Sequence, residues 1–475
     1  MIVKLSQICN MQSGGTPRKG SSEYYGGDIP WIKISDFKDS SNGIITETEE
    51  TITQEGLQSI NNRLFEKGTL LLAMYGSVGK TAFTGIQASC NQAILGITAK
   101  DENQLNLKYL KYWLDLNQGG LVHQGRGVTL NNISLNIVKK QEIDLPDLET
   151  QNKIVAILDK ASALVQKRQL TIDLLDELLR AQFLEMFGNP TSSKKFKLTT
   201  LASYLEKVQI GPFGSQLHRA DYVPNEVPLI NPINIVDNKV KPDYEITIKK
   251  SKYDSLPNYH LKTGDLIMAR RGEMGRCGII TEKENGWFCG TGSLYLRPKD
   301  LNKSMFLLHC IINRATIEYL NHNAKGVTMK NLNKSIIAGI PIIDCPENII
   351  LTFNEIVIKY DAIRLRILDN LREIQSLFYS ILQRAFSGKL NLDVSVELDA
   401  LLEEIDLQKT ENDLFSIITN EEYLLSLVKR LNNQQFESQE LYDKAKHAAF
   451  QMLKDEERLE QEYDEQTKSL KLLVK

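Results

Sequence analysis

Three arginines, Arg270, Arg271 and Arg276, share one glycine-rich stretch, Thr263-Gly-Asp-Leu-Ile-Met-Ala-Arg-Arg-Gly-Glu-Met-Gly-Arg276. A guanidinium can donate two hydrogen bonds to O6 and N7 of guanine, whereas lysine more often neutralises phosphate. Glycines in such a loop let backbone amides approach a duplex closely. The same residue types recur along the chain. Lys80 ends Lys67-Gly-Thr-Leu-Leu-Leu-Ala-Met-Tyr-Gly-Ser-Val-Gly-Lys80, Arg126 precedes Gly127-Val-Thr129, and Lys325 and Lys330 flank Gly326-Val-Thr328. Arg18 and Lys19 lie in a Gly/Ser-rich loop, and Gln216, His218 and Arg219 follow Gly211-Pro-Phe-Gly. Arg18, Lys80, Arg126, Thr129, Gln216, Arg219, Arg270, Arg271, Arg276, Lys325, Thr328 and Lys330 are therefore candidate contacts to phosphates and base edges.

Motifs that would imply catalysis fall short. Ser77-Val-Gly-Lys-Thr81 resembles the end of a phosphate-binding loop, but Met74 stands where the first glycine is needed. Asn231-Pro-Ile-Asn234 lacks the second proline and the aromatic with which adenine methyltransferases hold a flipped base. Asn189-Pro-Thr-Ser192 departs in the same way. The six cysteines are scattered without a CxxC pair, so neither a zinc site nor a disulfide framework is expected. Trp31 and Trp287 read as core residues. The expectation is a chain with no catalytic and no metal site of its own.

The elements that hold these residues come in two copies. Gly68, Gly76, Gly79 and Lys80 find counterparts 196 positions later at Gly264, Gly272, Gly275 and Arg276, and Arg126-Gly-Val-Thr-Leu130 matches Lys325-Gly-Val-Thr-Met329 at an offset of 199. Each copy closes on a strand-like segment ending in proline, Ile143-Asp-Leu-Pro146 and Ala338-Gly-Ile-Pro341. Before that, β-branched runs at Ile29–Ile34, Thr69–Met74, Ile94–Thr98, Val227–Ile233 and Leu266–Ala269 alternate with turn residues. Leu105–Leu116 and Ser304–Leu320 read as helices. Each copy then enters a long apolar-periodic segment. Ile154, Leu158 and Leu175 lie in the first; Phe353, Tyr360, Ile367, Ile374 and Ile381 repeat every seven residues in the second. Such spacing over about five heptads predicts a coiled-coil seam, and each helix would be roughly 55 Å long. Asn370 and Arg168 are polar residues near that seam, suited to fixing register or meeting a partner.

This pattern resembles the specificity subunit of Type I restriction-modification enzymes over about residues 1–390. The carrying features are Gly14-Gly-Thr-Pro17, Tyr24-Tyr-Gly-Gly-Asp-Ile-Pro-Trp-Ile32, Lys67-Gly-Thr-Leu70 and Arg126-Gly-Val-Thr129. In the second copy they are Gly211-Pro-Phe-Gly-Ser215, Pro228-Leu-Ile-Asn231, the Gly264–Arg276 stretch and Gly326-Val-Thr328, with Leu145–Asp159 opening the first long helix. The resemblance implies an α+β chain: two globular α/β target-recognition domains separated by two long antiparallel coiled-coil helices, plus a C-terminal helical extension. The expected boundaries are 1–148, 149–188, 189–346, 347–388 and 389–475. It further implies a non-catalytic reader of bipartite double-stranded DNA. Two modification subunits would dock on the helices, with Ile154, Leu158, Leu175, Phe353, Tyr360, Ile367, Asn370 and Ile374 at the interface. S-adenosylmethionine, for adenine N6-methylation, and ATP with Mg would be bound by the modification and restriction subunits, with no cofactor in this chain. The competing reading is a coiled-coil protein-interaction scaffold without DNA readout.

Composition refines the partner class. The 475 residues carry a net charge of −3 and are 42% hydrophobic, which excludes collagen-like and wholly disordered chains. The balance conceals an asymmetry: residues 393–475 hold 20 acidic and 10 basic side chains, leaving a body of +7. The acidic tail is predicted helical at Val394–Asp406, Glu421–Asn432 and Ser438–Leu473, and to face protein rather than DNA. No apolar run approaches the roughly 18 residues of a membrane span, and Met1-Ile-Val-Lys-Leu-Ser lacks a signal-like apolar core. The expected location is cytoplasmic, with reduced thiols.

Overall fold

Short β-branched segments bounded by turn residues cannot stand alone, and they assemble here into two main sheets per module with smaller strand pairs beside them. The computed structural model describes residues 1–37, 43–124, 132–324 and 331–390, and the backbone of 459–464 and 469–474. In the first module, Cys9–Ser13, Ile94–Ala99, Leu70–Ala73, Thr81–Thr84 and Ile44–Ile45 form one sheet in that order. Thr51–Ile52, Tyr25–Ile32 and Ser89–Cys90 form the other. The second module repeats the plan with Leu205–Ile210, Ser293–Pro298, Leu266–Ala269 and Cys277–Ile279, and a second sheet around Val227–Ile230.

The correspondence extends to register. Leu70 pairs with Ile97 as Leu266 pairs with Leu296. A short parallel pair, Ile32 with Cys90, returns as Ile230 with Cys289. Each module is closed by an antiparallel pairing of its first and last strands, Ile2–Lys4 with Glu142–Asp144 and Lys197–Thr200 with Pro341–Asp344. The central strands Leu70–Ala73 and Leu266–Ala269 are buried at every position, as expected of strands covered on both faces.

Two 40-residue helices follow the modules, Leu148–Phe187 and Glu347–Phe386. Pro146 and Pro346 precede them and Gly188 and Gly388 follow, the expected punctuation. The chain divides into two compact units, residues 1–171 with the helix segment from Ile367, and residues 172–366. In the first unit Ile154, Ile157, Leu158 and Ala161 share a core with Ile381, Leu382 and Ala385, and Leu164 packs on Ile374. Advancing along one helix means retreating along the other, so the two segments run antiparallel. In the second unit Phe183 and Phe187 meet Phe353 at 5.4 and 5.3 Å between ring centroids, and Arg364 Nε donates to Asp176 at 2.8 Å. That unit's helix segments are antiparallel as well.

Two expectations are corrected. The helix read over Ser304–Leu320 is two helices, Ser304–Ile311 and Arg314–Asn323, because the Asn313 side chain accepts from Ala315 N at 3.1 Å and starts a new helix. The helix read over Ser438–Leu473 does not run to its end. Leu459–Asp464 and Ser469–Val474 form an antiparallel strand pair, consistent with the period of two in Leu470, Leu472 and Val474. The other predicted tail helices lie outside the described residues.

Candidate nucleic-acid interface

In the second module five loops gather at one end of the paired sheets. Gly211 N donates to Ser293 O at 3.0 Å, Gly290 N to Ile230 O at 2.9 Å, and Gly292 N to the Asn231 side chain at 3.3 Å. Arg270 N donates to Gly292 O at 2.9 Å, and Leu332 N to Arg270 O at 3.1 Å. These bonds join the Gly211–Gln216 loop, the Asn231–Asn234 turn, the Arg270–Arg276 turn, Gly290–Gly292 and the segment entering at Asn331. Glycine is required at position 211, because an added Cβ would fall inside the carbonyl oxygen of Gly290.

The first module builds the same cluster from different side chains. Gly14 N donates to Ile94 O at 2.9 Å, Met74 N to Ala93 O at 2.7 Å, and Ile133 N to Met74 O at 3.0 Å. An isolated bridge joins Tyr75 to Asn132, and its counterpart joins Arg271 to Asn331. The Gly14–Arg18 loop is pinned by Arg63 Nη1 on Gly14 O (2.6 Å), Trp31 Nε1 on Gly15 O (3.1 Å) and Tyr25 Oη on Pro17 O (2.8 Å). Trp31 is thus a buried structural residue, as its sequence context suggested.

The candidate cations differ in surroundings. Arg271 is exposed, and its backbone bridges to Asn331. Arg270 is half-buried, its Nε donates to Asn331 Oδ1 at 2.9 Å, and its guanidinium lies 5.7 Å from the centre of the Phe213 ring. Burial, and then the charge of Arg271, lower its pKa from the ordinary arginine value. Arg276 is paired with Glu273 and donates from Nη1 to Pro232 O at 3.2 Å, so it ties its turn to the Asn231–Asn234 turn. Gln216 accepts from Phe213 N at 3.1 Å and from Tyr259 Oη at 2.9 Å, which fixes the loop beneath Phe213. Arg18, Lys80 and Arg219 are exposed. Arg126, Thr129, Lys325, Thr328 and Lys330 lie outside the described residues, although Asn132 and Asn331, just beyond those segments, join the clusters.

Three residues of these surfaces escaped sequence reasoning: Tyr75, Phe213 and Asn331. Phe213 is 59% exposed and Tyr75 43%. Asn331 was within reach, since the Gly-Val-Thr repeat extends to Asn132 and Asn331 at the same offset. Ser77–Lys80 forms a turn between the antiparallel strands Leu70–Ala73 and Thr81–Thr84, so no helix follows Lys80 as a nucleotide-phosphate loop would need.

The eight helix positions assigned to a subunit interface need correction. Ile154, Leu158, Leu175, Phe353, Tyr360, Ile367, Asn370 and Ile374 are all buried within the chain, so they cannot themselves form a docking surface. Their spacing reports packing inside this molecule. Among the described residues no cluster of three or more potential ligands could hold a metal ion, and no helix is long and apolar enough to cross a membrane.

The chain thus presents one loop cluster twice, in matched register and with cations in each copy. The family profile described as "Type I restriction modification DNA specificity domain" matches residues 1–174 and 215–348, and the chain belongs to that family. Its members supply DNA sequence specificity in Type I restriction-modification and are its non-catalytic subunits. The chain is 24% identical over 387 residues to the Type I restriction enzyme MjaIX specificity subunit of Methanocaldococcus jannaschii, covering 75% of this chain and 85% of that one. The MjaVIII specificity subunit of the same organism is 20% identical, covering 82% and 91%. A crystal structure of the Type I system S subunit from M. genitalium aligns over 81% of this chain and 96% of its own, at 14% identity and a TM-score of 0.44.

Proposed function

We propose that this chain reads a bipartite DNA target, each module taking one half-site, and that the two long helices form an antiparallel coiled coil that sets the gap between them. Two modification subunits dock on the helices and carry S-adenosylmethionine for adenine N6-methylation. Restriction subunits add ATP- and Mg-dependent translocation and cleavage, and this chain binds neither cofactor. Docking uses helix side chains that stay exposed, such as Leu351, Ile358 and Leu365, rather than the buried seam. The observation that carries the reading is the repetition of one loop cluster in matched register, since duplicated surfaces suit two half-sites and two identical partners. Arg18, Lys80, Arg219 and Arg271, all exposed, are the phosphate and base contacts, together with Arg126, Thr129, Lys325, Thr328 and Lys330 of the repeated Gly-Val-Thr segments. Gln216, Arg270 and Arg276 line the second cluster.

Single-molecule methylome sequencing of cells expressing the chain with its modification partner tests this directly. Arg271→Ala should relax or abolish one half-site without moving the gap. Shortening both helices by one heptad should change the gap instead. An unchanged motif at unchanged occupancy in the Arg271→Ala strain would overturn the loop assignment. DNA binding that did not weaken with salt would favour the protein-interaction scaffold, because phosphate contacts make affinity fall steeply as salt rises.

A further inference from the structure

The two loop clusters share a backbone but differ in their side-chain chemistry. In the first module the Gly14–Arg18 loop carries Arg18, and the turn after Leu70–Ala73 carries the exposed aromatic Tyr75 ahead of Lys80. In the second, the Gly211–Gln216 loop carries the exposed aromatic Phe213, and the corresponding turn carries Arg270 and Arg271. Matching backbone bonds put Met74 where the second module has Arg270, and Thr16 two residues beyond Gly14 where it has Phe213 beyond Gly211.

Phe213 has no packing reason for its place. It is more than half exposed, yet its loop is fixed by the Gln216 side chain and by Gly211 against Gly290. What it touches is Arg270, whose guanidinium lies 5.7 Å from the ring centre, within cation–π range. On the same guanidinium, Nε is committed to Asn331 Oδ1 at 2.9 Å. The two terminal nitrogens have no hydrogen-bond partner among the described residues. A planar fork held at Nε and on a ring face, with its terminal donors unspent, matches a pair of acceptors side by side. Guanine O6 and N7 in the major groove form such a pair, whereas the other bases mix a donor or a methyl group into that edge.

We propose that Arg270 is a preformed guanine reader which fixes one G·C pair in the half-site taken by the second module, with Phe213 as its positioning residue. The inference deepens the DNA-reading proposal and rests on it. The first module has Met74 and Thr16 at the two positions, so this reader belongs to one half-site alone.

The test uses the complete complex of this chain with its modification subunits. Binding and methylation are measured on duplexes in which every base pair of both half-sites is changed singly, over a range of salt concentrations. Arg270→Lys should lose discrimination at one G·C pair of one half-site by about 10- to 100-fold, with the other half-site and the gap unchanged. Phe213→Leu should lose part of the discrimination at that same pair, and Phe213→Tyr should restore it, while thermal unfolding of both variants stays with the parent. Weakening that is uniform across all duplexes, with the salt slope reduced by about one, would make Arg270 a phosphate contact and overturn the proposal. So would an unchanged pattern, or a loss at the same pair in Arg270→Lys but not in Phe213→Leu. A parent complex that binds all duplexes equally would instead overturn the DNA-reading proposal itself.

Discussion

At the scale of single residues, the duplicated positions expose two solutions to one packing problem. Asp265 is fully buried, and its carboxylate accepts from Arg297 Nε at 2.8 Å, Arg297 Nη2 at 2.7 Å and Lys262 N at 2.8 Å. The paired register puts Thr69 and Thr98 at those places in the first module, where the Thr69 amide donates to Thr84 Oγ1 instead. Removing one member of a buried ion pair leaves the other uncompensated, so Asp265→Ala should cost about 3–5 kcal/mol in urea unfolding. A second prediction concerns His309, whose ring stacks on Phe183 and meets Phe353 edge-on. Burial pushes its pKa from 6.5 down to about 4, with the charge of Arg180 adding to the effect. The folded state then binds fewer protons than the unfolded one between about pH 4 and 6.5. Stability should therefore rise with pH through that window and fall on acidification, by at most about 3 kcal/mol and less where the residue's edge meets water. His309→Leu should flatten the dependence of unfolding midpoint on pH over that range. Such residues were not legible beforehand. Asp265 lies in the repeated glycine-rich motif, but its partner is 32 positions away, and a lone histidine carries no local signal of its enclosure.

At the scale of elements, periodicity was the most legible property of the sequence. The series Phe353, Tyr360, Ile367, Ile374 and Ile381 is buried throughout, and both long helices begin and end within two residues of their sequence-derived limits. Burial against the chain itself and burial against another subunit leave the same apolar period, which is why the seam was misassigned to an interface. The break at Asn313 was missed for a related reason. Apolar residues continue on both sides, and only the side chain's bond to Ala315 N reveals the new start. Asn370 interrupts the apolar seam: it is 3% exposed, and neither amide atom has a hydrogen-bond partner among the described residues. An unsatisfied buried amide costs about 1–3 kcal/mol. Asn370→Leu should therefore raise the unfolding free energy by about that amount in denaturant titrations, while a loss of stability would mean the amide is satisfied in solution.

For the whole molecule, the near-neutral charge of −3 divides into a body at +7 and a segment from 393 onward at −10. Like charge keeps an acidic segment from the phosphate backbone, so a protein partner is its expected neighbour. Deleting 391–475 should weaken assembly with the modification subunits, seen as a shifted mass distribution in native mass spectrometry, and leave the choice of half-sites intact. An unchanged complex mass would refute this. The duplication was readable from sequence, because glycine and threonine spacings survive where side chains diverge. Which loop carries the aromatic and which the cation was not readable, since that depends on strands brought together across the module. The pairing of each module's first and last strands, Ile2–Lys4 with Glu142–Asp144 and Lys197–Thr200 with Pro341–Asp344, has an evolutionary consequence. Entry and exit of the chain lie side by side, so a module behaves as an insertable cassette. Gene recombination with breakpoints in the codons of the long helices would transplant an intact module. With each module taking one half-site, as proposed, new target combinations would then arise in one genetic event, without the series of loop mutations that gradual change would require.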